Sequence, residues 1–162
     1  MDRRKFIKRS GATALAAAAV AEGGFKKTAA AQTGGARSGR RKVQTDRAPR
    51  SSNPYSQAII AGNTIYVAGQ VPINPRTGQA VTGPFEEQAV QVFENIKSIV
   101  EAAGATMNNV ARVNVYLANL SDFAKMNEIY RRYFSEDYPA RTTVGAQLLS
   151  TFLIEVDCIA VL

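Results

Sequence analysis

The 162-residue sequence contains no histidine and only one cysteine. The absence of histidine excludes any His-based triad, and with one cysteine it also excludes a zinc site built from His and Cys ligands. A lone cysteine cannot form an internal disulfide framework. No phosphate-binding glycine loop, dinucleotide fingerprint or metal-ligand cluster is present. A long hydrophobic run is missing too. The apolar stretch at residues 11–21 is about half the roughly 20 residues that span a bilayer, so no stable membrane anchor is expected.

What is present is enough for one folded domain. Apolar residues make up 46% of the chain, and the length suits a single domain with a tail left over. The net charge of +7 suggests nucleic-acid binding until it is divided by position. Residues 1–41 hold ten Lys or Arg against two acids, whereas residues 42–162 hold ten against eleven. The basic excess belongs to the tail, so no nucleic-acid partner is expected.

Residues 1–31 read as an export signal. The opening is charged, an alanine-rich stretch follows, and Ala29 and Ala31 provide small residues for cleavage before Gln32. Arg3-Arg4-Lys5-Phe6-Ile7-Lys8 resembles the bacterial twin-arginine signal, with Asp2 where Ser or Thr is usual. The expected location is the periplasm; the alternative is a cytoplasmic protein with a basic tail. Residues 32–41 are nearly devoid of apolar side chains and read as a flexible linker to a domain at 42–162.

Within that domain, residues 58–68 predict a hairpin around Gly62-Asn63. Residues 84–103 carry an apolar stripe of 3.6-residue period, with Pro84 opening the helix and Gly104 closing it. Residues 110–117 alternate and predict a strand. Residues 122–136 predict a second helix, capped by Ser121, with Phe123, Met126, Tyr130, Tyr133 and Phe134 on the buried face beside Asn127. Strands at 142–148 and 153–162 follow, with an extra strand expected near Val43. The pattern implies an α+β fold: a mixed sheet with two helices on one face.

The last strand places Glu155 and Asp157 on one face and Cys158 on the other. Both faces are largely apolar, which predicts a central strand. A partly buried carboxylate there is either a structural ion pair or an acid/base group raised by burial. Arg141 opens the preceding strand. An antiparallel pairing through a loop near residues 149–151 would set it alongside Glu155, where a guanidinium could grip a substrate carboxylate. Cys158 reads as an inert core thiol. Tyr55 is either a core aromatic under a loop or a pocket residue.

Several stretches taken together resemble the reactive-intermediate deaminase family (RidA/YjgF). They are Ala48-Pro49, Pro54-Tyr55-Ser56-Gln57-Ala58, Val67-Ala68-Gly69-Gln70-Val71-Pro72 and Asn74-Pro75-Arg76-Thr77-Gly78, then Asn95-Ile96-Lys97, Ala102-Ala103-Gly104 and Leu120-Ser121-Asp122-Phe123 with Asn127. Pro139-Ala140-Arg141-Thr142-Thr143-Val144 and Ile154-Glu155-Val156 complete the series in family order. The resemblance implies a chorismate-mutase-like subunit, a homotrimer with clefts between subunits, and cofactor-independent hydrolysis of 2-enamine or 2-imino acids to 2-oxo acids and ammonia. It implies that Arg141 binds the substrate carboxylate, that Glu155 positions or activates water, and that Tyr55 closes the pocket. Asn127 and the backbone at Gly69 and Thr143 would line it. Departures stand at Asn53, Ala68 and Thr143 and in the 145–152 loop. The rival reading is a non-catalytic trimer that binds small carboxylates, or a chaperone-like surface. A nuclease role, also attributed to the family, fits poorly with a domain balance of −1.

Overall fold

A computed structural model describes residues 39–162 apart from Ser51 and Glu136. The expected signal at 1–31 and most of the linker lie outside the described residues. Six strands form one sheet in the order β1-β2-β3-β6-β4-β5: β1 (Arg41–Val43), β2 (Ala58–Ala61), β3 (Thr64–Gln70), β4 (Val110–Leu117), β5 (Ala140–Gly145) and β6 (Ile154–Val161). Helices α1 (Phe85–Ala102) and α2 (Phe123–Tyr133) complete the α+β fold. The strand expected near Val43 is present and opens at Arg41.

The β2–β3 hairpin turns on Gly62 at φ +62°, a conformation that costs glycine little. In α1, Phe85, Ala89, Val92, Phe93, Ile96, Ile99 and Val100 are buried, as the stripe requires. Glu86 and Glu87 sit in its positively polarised first turn, and Gly104 at φ +96° follows its end. The sheet side of the core comes from alternate residues: Val113, Val115 and Leu117 on β4, and Ile154, Val156, Cys158 and Ala160 on β6. Each buried Val or Ile side chain contributes about 1.5–3 kcal/mol.

The structure corrects the sequence reading at α2. Ser121 does not cap it. A 3-10 turn at Leu120–Asp122 comes first, and the Asn119 side chain accepts a hydrogen bond from the Ser121 amide at 3.0 Å. The helix also ends at Tyr133, because Phe134 turns extended and packs its ring beside Phe93 and Tyr130. Phe123 is 43% exposed and does not join the core.

The larger correction concerns β5 and β6, which are not neighbours. The chain leaves β4 through α2 and returns as β5, parallel to β4 on the sheet's outer edge. It then crosses back to insert β6 antiparallel between β3 and β4. A parallel partner needs a crossover, and α2 supplies one. The position of β6 between two strands explains why both its faces are largely apolar.

Candidate active site

The register fixes where the candidate residues lie. Arg141 pairs with Val113, and Glu155 pairs with Tyr116, three residues further along β4. Paired residues share a face, so Arg141 points to the helix side and Glu155 to the open side of the sheet. Two strand spacings and three residues place their Cα atoms on the order of 14 Å apart. A single subunit therefore does not set Arg141 alongside Glu155, contrary to the antiparallel pairing inferred from sequence. The candidate residues fall into two groups.

The first group surrounds Arg141. Its guanidinium lies 4.7 Å from the Tyr130 ring centroid and 5.7 Å from that of Phe123, with Nη1 3.8 Å from the Met126 sulfur. Aromatic faces and a polarisable sulfur hold a cation without neutralising it. Among the described residues, no carboxylate forms a salt bridge with Arg141. The half-buried side chain opens into a cavity of about 330 Å³, which Asn127, Tyr130, Tyr138 and Pro139 also line. Asn127 and Arg141 are thus brought together as expected. Thr143 lies two residues along the same face of β5, with its buried hydroxyl making no hydrogen bond among the described residues. Phe123, expected in the core, instead covers the arginine.

The second group surrounds Glu155. The β3–β6 ladder shifts register between Val67 and Gln70, a bulge that carries Gly69. A Cβ on Gly69 would overlap Glu155 Oε1, so only glycine leaves room for the carboxyl. The Gln70 side chain donates to the carbonyls of Ala68 (3.0 Å) and Gly69 (3.2 Å) and fixes the bulge. Tyr55, 53% exposed and not a core aromatic, shares a cavity of about 220 Å³ with Gly69, Asn53 and Val71. Burial, and then the neighbouring Asp157 charge, push the Glu155 carboxyl above its ordinary value. It makes no hydrogen bond among the described residues. Asp157 is held by Asn114 Nδ2 at 2.8 Å and by the Tyr116 hydroxyl at 2.9 Å. The acidic pair is therefore not a structural ion pair.

Cys158 fits the inert reading: burial pushes its thiol up to about 12. Sequence reasoning missed the buried amides that support the site. Gln57 accepts from the Thr45 amide and donates to the carbonyls of Thr45, Ala48 and Pro49, which anchors the segment leading to Tyr55. Asn95, fully buried on α1, donates to the carbonyls of Val71 and Ile73. Its signal was present: an amide on the apolar stripe, three residues after Val92 and four before Ile99.

Comparison with known proteins shows the family and the fold. Residues 45–162 match the family model described as Endoribonuclease L-PSP. The chain belongs to this family, the one that includes RidA. A RutC family protein of Pyrococcus abyssi is 54% identical over 119 residues, covering 73% of this chain and 94% of that one. The 2-iminobutanoate/2-iminopropanoate deaminase of Dermatophagoides farinae is 42% identical over 124 residues, covering 76% of this chain and 97% of that one. The crystal structure of RidA from an Antarctic Psychrobacter superposes with a TM-score of 0.73 at 45% identity, covering 75% of this chain and 99% of that one.

Proposed function

We propose that this RidA-family chain hydrolyses 2-imino acids, and their enamine tautomers, to 2-oxo acids and ammonia. The observation that carries the reading is Arg141: a half-buried guanidinium, held by aromatic faces and open to a cavity with Asn127. Such a group suits a substrate carboxylate, because charge-assisted pairs are strong where water is displaced. Glu155 supplies the second function. Its unbonded carboxylate takes a proton from water as the oxygen attacks the imine carbon. It then returns that proton to nitrogen; the carbinolamine's hydroxyl proton passes to the same nitrogen as the C–N bond breaks, releasing ammonia and leaving the 2-oxo acid. Water is the only co-reactant, and no carbon is oxidised or reduced.

The two groups meet only if a second copy of the chain completes the site, so the reading includes a homotrimer. The open sheet face supports assembly: Ile59, Tyr66, Ile159 and Val161 lie there, with Tyr66 50% exposed. A monomer would leave this apolar face to water. Arg141 and Asn127 of one subunit would then face Tyr55, Gly69 and Glu155 of the next. The twin-arginine-like leader makes it an exported deaminase on this reading.

The test uses residues 32–162. An amino-acid oxidase generates the imino acid, semicarbazide traps it, and loss of the trapped product reports hydrolysis. Arg141→Ala should lower kcat/KM roughly 100-fold, about the value of a charged hydrogen bond. Glu155→Gln should abolish turnover while a 2-oxo acid still binds. If wild type leaves trapping unchanged across several imino acids, the deaminase reading falls and a carboxylate-binding protein takes its place.

A further inference from the structure

Asp157 takes no part in the reaction described above, yet it is held more firmly than the residue that does. It lies two residues beyond Glu155 on the same face of β6, about 6.6 Å away along the strand. Both of its carboxylate oxygens are engaged from β4, by Asn114 directly opposite and by Tyr116 on the diagonal. Tyr116 is also the cross-strand partner of Glu155. Its side chain therefore stands on the β4 side of Glu155, and Gly69 lies against the β3 side. The result is an anion with almost no freedom to move away from the reacting carboxyl.

We propose that Asp157 is a positioning residue for Glu155, its anchored charge making the Glu155 carboxylate a better acceptor for the proton of the attacking water. The inference rests on the proposed role of Glu155. A carboxylate free of such a neighbour would hold its charge more firmly and take the proton from water less readily. Among the described residues, Asp157 stands on the same strand as Glu155; Tyr116, and further along Arg112, come from β4; Tyr66 is further along β3, and Tyr55 lies by Gly69. Arg141 of the same chain lies on the other face; on the trimeric reading the neighbouring copy's arginine faces Glu155, a positive charge. Of these, Asp157 is the group that adds negative charge. The raised proton affinity of Glu155, attributed first to burial and second to Asp157, runs in the same direction. Asn114 and Tyr116 are accordingly more than sheet filler, since they prevent Asp157 from relaxing toward water.

The pH dependence of kcat/KM for imine hydrolysis tests this. Asp157→Asn keeps the hydrogen-bonding shape and removes the charge. Glu155 should then remain ionised to lower pH, so the acidic limb moves down. The ratio of kcat/KM at pH 5 to that at pH 8 should rise on the order of three- to tenfold over wild type. Tyr116→Phe, which loosens the anchor while keeping the ring, should move the limb the same way by less. A profile that superposes on wild type, or one that falls equally at every pH, overturns the inference. If Asp157→Asn does not fold, Tyr116→Phe and Asn114→Ser carry the same test. If Glu155→Gln retains full turnover, the parent reading of Glu155 has failed instead.

Discussion

At the scale of single residues, Gly69 is the most exacting position. The clash that a Cβ would create is with the end of the Glu155 side chain, not with backbone. Gly69→Ala should therefore fold and should displace the carboxyl. Its kcat should fall at least tenfold while ligand affinity changes little, read by the trapping assay beside a 2-oxo acid titration. An unchanged kcat would mean that Glu155 need not occupy its observed place. Residue type and alternation singled out Arg141 and Glu155 as candidates and Cys158 as a core thiol. It did not reveal the role of Phe123. Its place on the stripe resembled that of a core residue, and only the path of β5 beneath α2 brings Arg141 to its exposed ring.

At the scale of elements, α1 fastens the loop that leaves β3. Asn95 bonds two carbonyls there and accepts from Gln91 at 2.9 Å. Asn95→Leu keeps the volume but leaves these groups buried and unpaired. It should cost about 2–3 kcal/mol, read as a lower urea midpoint with an unchanged slope. The elements themselves were largely legible, as hydrophobic periodicity located both helices and the β4 strand, and the Gly62-Asn63 turn marked the hairpin. Their ends were less so. Ser121 has the right chemistry for a cap, but Asn119 reaches the turn first and inserts a 3-10 segment. The order of strands was legible only as a fold class. Two consecutive strands usually pair, and nothing local in residues 145–153 records that β6 crosses over β4.

At the scale of the whole molecule, that crossing sets how far apart one chain holds the two groups. Arg141 lies on an edge strand and Glu155 at the centre of the sheet, on opposite faces. Their assignment from sequence named the right strands but the wrong adjacency, because the face of a strand is local information and its neighbour is not. On the trimeric reading, each subunit donates the arginine to one cleft and the glutamate to another, as head-to-tail contacts allow.

Defects in the two groups should therefore complement one another. Arg141→Ala, slowed roughly 100-fold, and Glu155→Gln, inactive, would be co-refolded as a mixture. About a quarter of the clefts would then draw an intact arginine from one parent and an intact glutamate from the other, so activity should rise well above that of either variant alone. A double variant carrying both defects in one chain, mixed with wild type, would show no such rescue beyond the wild-type share. If the mixture of single variants shows no such rise under conditions where wild type refolds, the two halves do not meet across subunits.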